Sequence, residues 1–326
     1  MTGPDIEALL ADPDWHLFAF DGADAVFRRM DRLAYYRSIF LDDRIVASPG
    51  EWRVPLAELL DRVDAIPLRR TGWIFHLSHC GSTLLARALD RPGTNLVLRE
   101  PQPFRQLAFE GVTDARLRLA VRLAGRGYQP ETPTIVKANV PVNFILPAIA
   151  RLDPGAPAIF LHLAFEPYLL AMLRTPRHRD RLMRLTDRLA DRIGDLSGLG
   201  ASERAAALWL AQINAFDEAM ILLPNSRSLD AETLYSSPRP VLAAAADLFG
   251  LALKAADLDA IVDGKLFATH AKDPARSFDN ARRITLAQEA AITLAPEISR
   301  ARAWLADKPV PPKLARPLTG AVTRLP

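Results

Sequence analysis

Five short apolar runs separated by helical stretches constrain the fold of this chain more than any other feature. They read "GWIFHL" (72–77), "NLVLRE" (95–100), "TPTIVKAN" (132–139), "APAIFLHL" (156–163) and, with weaker character, "NSRSLD" (225–230). Helix-like stretches at 82–90, 113–124, 141–151 and 202–223 separate most of them. Strands apolar on both faces must be covered on both, and a strand returned by a helix comes back parallel. The pattern therefore predicts a three-layer α/β/α fold around a mostly parallel sheet. We assign residues 71–307 to that domain. An accessory segment, 1–70, is expected to pack on it, and the proline-rich tail "KPVPPKLARPLTGAVTRLP" (308–326) to run extended over its surface.

Inside the accessory segment the sequence predicts a short helix at "IEALLAD" (6–12) and strand character in "LFAF", "AVFRRM" and "AYYRSIFL". A helix is expected over Pro55–Ile66, with Pro55 where a first turn tolerates it. A later helix is signalled in "SSPRPVLAAAADLFG", where Ser237 can cap, Pro238 can occupy the first turn and Gly250 can close. The stretch "RTPRHRDRLMRLTDRLADRIGD" (174–195) carries seven arginines with Leu and Ile at helical spacing. It fits an amphipathic helix with a solvated face and equally a basic lid over an anionic ligand.

The 41 Lys and Arg against 38 Asp and Glu leave a net charge of +3, too slight to indicate nucleic acid and suited to an anionic small ligand. Cys80 is the sole cysteine, so an intrachain disulfide is excluded and a reducing cytosol is the expected compartment. Asp5, Glu7, Asp12 and Asp14 stand where a secretory signal needs positive charge. The most apolar span candidate, Val140 to Ala150, is interrupted by Pro141, Asn143 and Pro147 and is too short to cross a bilayer. A cytoplasmic protein without a membrane span is expected. The six histidines are scattered, so no metal centre is expected.

Chemistry concentrates in "HLSHCGSTLLARALD" (76–90). An apolar strand, a tight turn and a helix N-terminus make an anion site, because unpaired amides and the helix dipole both favour negative charge. Gly81 permits close backbone approach, and Ser82 and Thr83 add hydroxyls, unless those two merely cap the helix. A Walker A loop is excluded by the absence of a lysine in the turn and of a glycine five residues before Gly81. A phosphatase loop, His-Cys-x5-Arg, is matched by His79-Cys80, but six residues rather than five separate Cys80 from Arg87.

The turn also resembles the donor loop of the sulfotransferases that use 3′-phosphoadenosine 5′-phosphosulfate, which reads basic-Ser-Gly-[ST]-Thr before a Leu-rich helix. Here the matching residues are His79-Cys80-Gly81-Ser82-Thr83, then Leu84-Leu85. "LREP" (98–101) is similar to the next strand end of bacterial and tyrosylprotein-type members, whose glutamate is the catalytic base; it places Glu100 twenty-one residues after His79. "IVKANV" resembles their "lvlK-[ST]-P" strand, and "SLDAETLYSSPRPVLAAAADLFGL" their "YEDLvadPeatlrrlaeFLGL" segment, so the likeness covers about residues 72–251.

The resemblance implies a P-loop NTPase-like sulfotransferase fold and sulfuryl transfer from that nucleotide to a hydroxyl acceptor, without a metal. It implies that His79 to Thr83 hold the 5′-phosphosulfate, that Glu100 is the general base, and that Lys137 and His79 stabilise the departing phosphate. The family's Arg and Ser for the 3′-phosphate correspond to Phe165 and Leu173 here, so Arg174 and Arg177, or basic residues of "KDPARSFDNARR" (272–283), would have to substitute. Two other readings stay open: a nucleotide- or anion-binding protein that keeps the fold without catalysis, and a cysteine-dependent phosphatase. The acceptor is open among sugar, lipid, small alcohol and protein tyrosine.

Overall fold

The computed structural model describes residues 4–319. Two antiparallel strands, β1 (Trp15–Asp21) and β2 (Asp24–Arg29), are followed by β3 (Trp52–Pro55), and the three form a sheet in the order β1-β2-β3. The main sheet follows. It contains β4 (Thr71–His76), β5 (Leu96–Arg99), β6 (Thr134–Lys137), β7 (Ala158–His162) and β8 (Ser226–Asp230), all parallel, in the order β5-β6-β4-β7-β8. All five expected strands are present.

Helices cover both faces of this sheet, and the side chains of β4 show why. Trp73 and Phe75 project to one face, where Phe75 stacks on Phe160 at 5.5 Å and Trp73 meets Phe104 edge-on at 5.2 Å. Those contacts seat the helices Gln102–Glu110 and, through Phe216 against Phe160 at 4.9 Å, Ala201–Leu222. Gly72 projects to the opposite face, where a Cβ would lie 2.5 Å from the ring of Phe249 on the helix Pro238–Phe249. A side chain at 72 would push that helix off the sheet.

The strand order leaves one special place. The connection leaving β4 runs toward β5, while those leaving β6 and β7 run the other way. The chain therefore diverges around the carboxyl end of β4, the crevice where ligands bind in open parallel sheets.

The N-terminal residues are tied to this sheet by buried polar groups. Gln106 closes both backbone hydrogen bonds of Phe20, at 2.9 and 2.8 Å. Arg126, 6 % exposed, donates to the carbonyls of Leu9, Asp12 and Trp15. Arg99 donates to Ser38 at 3.0 Å, to Tyr35 at 2.5 Å, and to the carboxylate of Asp90 at 2.5 Å. One continuous apolar core joins residues from Leu9 to Leu314.

Some local expectations differ from what is observed. "AYYR" is helical, not a strand: Asp31 accepts from the Ala34 amide at 2.6 Å and starts the helix Arg32–Arg37. The helix expected over Pro55–Ile66 is the short Leu56–Leu60 plus a 3₁₀ turn, Val63–Ala65. Pro141 and Pro147 split 141–151 into a 3₁₀ segment, Val140–Ile145, and the helix Leu146–Leu152, because neither proline can donate into a continuous ladder. Ser237 makes no side-chain cap, while Pro238 and Gly250 (φ 72°) begin and end their helix as expected.

Beyond β8 a small hairpin, β9 (Thr269–His270) and β10 (Asp273–Ser277), precedes two further helices, Asn280–Thr293 and Ala295–Leu305. Arg87 holds this hairpin by donating to the Ala271 carbonyl at 2.9 Å. The tail does more than lie on the surface. Ser228 of β8 donates to Arg316 O at 3.0 Å and accepts from the Leu318 amide at 2.7 Å, and Leu314 is 1 % exposed. Residues 320–326 of the expected tail lie outside the described residues.

Candidate functional site

The turn after β4 is built from two left-handed residues. His79 has φ 63° and Gly81 φ 82°, and the helix Ser82–Leu89 starts directly after them. His79 is one of three non-glycine residues with positive φ among the described residues, and Glu100 (φ 57°) is another. Both lie at carboxyl ends of neighbouring parts of the sheet, and such strain is retained only where the surroundings enforce it. Gly81 is required for a further reason: a Cβ there would stand 2.8 Å from Tyr235 Oη.

Among the described residues the amides of 78–83 donate to no backbone carbonyl. Neither Ser82 nor Thr83 caps the helix, and the buried Thr83 Oγ1 has no partner. The turn thus presents amides that no backbone carbonyl engages at a helix N-terminus, the Ser82 amide being turned to the Cys80 sulfur. Cys80 faces the other way. Its thiol is fully buried, donates to Leu77 O at 2.8 Å, and is pushed up to about 11 by that burial, which outweighs the Ser82 amide beside it. A nucleophilic cysteine needs the opposite conditions, so the thiol is packing and the phosphatase reading loses its nucleophile.

Glu100 and Lys137 meet. The amide of Glu100 donates to Lys137 O at 2.7 Å where β5 and β6 end, and the Lys137 ammonium donates to Glu100 Oε1. Lys137 is fully buried, while the Glu100 carboxylate retains one-fifth exposure. Burial acts to raise the Glu100 pKa, but the Lys137 charge and hydrogen bond overcome it and hold the carboxyl below its usual range. His76 Nε2 lies 4.0 Å from the same carboxylate oxygen. The ring of Phe40, from the N-terminal segment, has two cations near it, Lys137 Nζ at 5.6 Å and Lys272 Nζ at 5.8 Å from its centroid.

His79 is not the basic group that the family pattern leads one to expect. Burial first, then the charges of Lys272, His178, Arg174 and Arg181, hold its pKa at about 3, so it is neutral at pH 7. The His178 ring sits 4.5 Å from it. On the helix Pro176–Arg188 it is Arg181, not Arg177, whose charge acts on His79. Arg174, Arg181 and Lys272 pair with no carboxylate among the described residues, so the mouth of the site carries uncompensated positive charge.

Phe165 and Leu173 lie in the core at 2 % and 1 % exposure, and Phe165 packs edge-on against Trp209 at 5.1 Å. They hold no anion. The positions that the resemblance implies for a 3′-phosphate are therefore buried in apolar surroundings, and cations that act on the turn, besides Lys137, include Arg174, Arg181 and Lys272. Phe40 lies in a stretch that the sequence marks only for strand character, and His76 has no assigned role in the stretch it opens. His178 and Arg181 belong to the arginine-rich stretch 174–195, whose reading as a basic lid was the available signal.

The neutral histidines make the fold sensitive to acid. His16, His76 and His79 all have folded pKa values of about 3, caused first by burial, against an ordinary 6.5. Below pH 6.5 the unfolded chain takes up protons that the folded chain refuses, so stability is whole above that pH and declines as pH falls toward 3. Denaturant midpoints at pH 7.5 and 5.0 should differ, with up to three protons taken up on unfolding at the lower pH. Equal midpoints would contradict the neutral burial of these rings.

No group of His, Cys, Asp and Glu among the described residues could hold a metal ion, and no described helix is long and apolar enough to cross a membrane. No family model matches the chain, and no curated protein matches it. Solved structures similar to it include a sulfotransferase from Alicyclobacillus acidocaldarius, with 14% identity, a TM-score of 0.40, and 74% of this chain and 97% of that chain covered. Another is a sulfotransferase domain from the curacin biosynthetic pathway, with 15% identity, a TM-score of 0.40, and 74% of this chain and all of that one covered. Likenesses of this size leave the functional reading to the residues of the site.

Proposed function

We propose that the chain is a sulfotransferase-like enzyme, moving a sulfuryl group from 3′-phosphoadenosine 5′-phosphosulfate to a hydroxyl acceptor. One observation carries this reading: a carboxylate–lysine pair, Glu100 with the fully buried Lys137, stands at the same sheet edge as a strand–turn–helix whose amides engage no backbone carbonyl, beside cations without carboxylate partners among the described residues. A proton acceptor, an anion cradle and a charge stabiliser are what in-line transfer to a hydroxyl asks of a protein. The donor would supply a sulfuryl group activated by its bond to phosphate.

The amides of 78–83 and the Ser82 and Thr83 hydroxyls would hold the phosphosulfate, and the unpartnered Thr83 Oγ1 fits that role. Glu100, kept ionised by Lys137, would take the proton of the acceptor hydroxyl. As Glu100 becomes neutral its hold on Lys137 weakens, and the ammonium is released to stabilise the negative charge on the leaving side. His79, neutral in the resting protein, would donate a hydrogen bond rather than a full charge. A 3′-phosphate does not fit at Phe165 and Leu173; Lys272, Arg174 and Arg181 would have to receive it.

The closed positions at 165 and 173 favour a second reading, an anion- or nucleotide-binding protein that does no transfer. Calorimetric titration with 3′-phosphoadenosine 5′-phosphate, AMP and ATP separates the two. Under the transferase reading the 3′-phosphorylated nucleotide binds best, and Lys272→Ala weakens it by about tenfold or more while barely changing AMP, since a charge-assisted bond contributes roughly 1.5–3 kcal/mol. Equal affinity for AMP and the 3′-phosphorylated nucleotide would favour the second reading. No nucleotide binding at all would overturn the transferase reading and reduce the second to a site for a simpler anion.

A further inference from the structure

His76 ends β4 and is 5 % exposed. Its Nδ1 lies 2.7 Å from the carbonyl oxygen of Leu77. A carbonyl only accepts, so Nδ1 carries the proton and Nε2 is left as a lone pair. That Nε2 is buried and has no donor. It faces Glu100 Oε1 at 4.0 Å. Two acceptors facing each other with no hydrogen between them, the nitrogen buried and unpartnered, form an unfavourable arrangement. The arrangement turns favourable once the carboxyl carries a proton.

The placement is enforced from both sides. Glu100, in a left-handed conformation, is tied by the hydrogen bond its backbone N–H donates to Lys137 O, and the His76 carbonyl accepts from Asn143 Nδ2 at 3.0 Å. The charged groups that act on His76 are Lys137, Glu100 and Lys272. Burial and the two lysines hold the ring neutral at pH 7, with Glu100 acting in the opposite sense.

We propose that His76 is a positioning residue for Glu100, its Nε2 accepting a hydrogen bond from the carboxyl group that exists only after Glu100 has taken the acceptor's proton. This rests on the transferase reading above. In that step the acceptor O–H bond breaks as its oxygen bonds sulfur, the S–O bond to phosphate breaks with its electron pair going to the phosphate, and the proton resides on Glu100. The Glu100 hydroxyl then donates to His76 Nε2, and the proton passes to water when the product leaves. A bond made after proton transfer and absent before it lowers the barrier without tightening substrate binding.

The experiment is nitrogen-15 NMR of the histidine-labelled full chain without ligand, for the native protein and for Glu100→Gln, joined to kinetics of His76→Leu and His76→Gln. In the native protein His76 should be the neutral tautomer protonated at Nδ1. In Glu100→Gln, whose amide can donate, the Nε2 resonance should move upfield toward that of a hydrogen-bonded nitrogen. His76→Leu should lower kcat about tenfold with KM unchanged, the equivalent of one hydrogen bond. His76→Gln, whose amide oxygen stands in for Nε2, should recover part of that loss. A proton found on Nε2, an unmoved resonance in Glu100→Gln, or no recovery by glutamine would overturn the proposal. Native protein that transfers no sulfuryl group, yet gives the expected spectra, would instead overturn the transferase reading and with it the catalytic use of the contact.

Discussion

Glu100→Gln is expected to lower kcat by about 10²–10⁴-fold, the usual contribution of a positioned general base. Affinity for 3′-phosphoadenosine 5′-phosphate should change little, because the substitution removes a proton acceptor and no phosphate donor. Glutamine keeps an amide oxygen for Lys137 but not the charge, and Lys137 has no exposure with which to recover hydration. The variant should therefore also lose stability, by about 3 kcal/mol, as a buried pair does when one partner is neutralised. Kinetics and denaturant melts on the same preparation separate the two effects. Losses of equal size in nucleotide affinity and in kcat would show that Glu100 orders the site rather than accepts a proton. Unchanged kcat would remove it from the chemistry.

The largest effect on folding is expected from Asp90→Ala. The Asp90 side chain has no exposure and accepts from two arginines, Arg99 at 2.5 Å and Arg32. Burial pulls the Arg99 pKa down and Asp90 opposes it, so the guanidinium stays charged in the core on the strength of this partner. Removing the carboxylate leaves that charge among backbone carbonyls alone, at a cost of about 3–5 kcal/mol. The same guanidinium fastens Tyr35 and Ser38, and the segment they begin carries Phe40 to the site. The denaturant midpoint should fall accordingly, and activity should fall with it under conditions where the variant is still folded. A loss under about 1 kcal/mol would show that water reaches Arg99 when the carboxylate is gone.

Much of this arrangement is legible in the chain, for identifiable reasons. The five strands of the main sheet stand out because the four strongest are buried on both faces and so read as unbroken apolar runs. Their order does not, since nothing local says that β6 inserts between β5 and β4. His79 to Thr83, Glu100 and Lys137 are found in sequence because each follows a strand directly, and the end of a strand is a local property. Lys272 and Arg181 come to the same edge from segments that the sequence marks only as basic, and Phe40 from one it marks only for strand character. His76 ends β4, but its approach to Glu100 depends on the strand order. "AYYRSIFL" shows propensity failing to its neighbours: its aromatic and β-branched residues suit a strand, yet one aspartate in front of them starts a helix.

The contact between Ser228 and the residues around Pro317 has a consequence in time. β8 is the last strand of the main sheet, and the segment that pairs with its outer edge follows about 90 residues later. On a ribosome moving at ~5–20 residues per second, that edge is synthesised several seconds before its cover. During that interval the row of amides and carbonyls on β8 is open to any other extended segment. Arg316, bonded to the carbonyls of Met220, Leu223 and Ser226, therefore acts as a late fastener, closing this edge only after the hairpin and helices that follow β8 have been made.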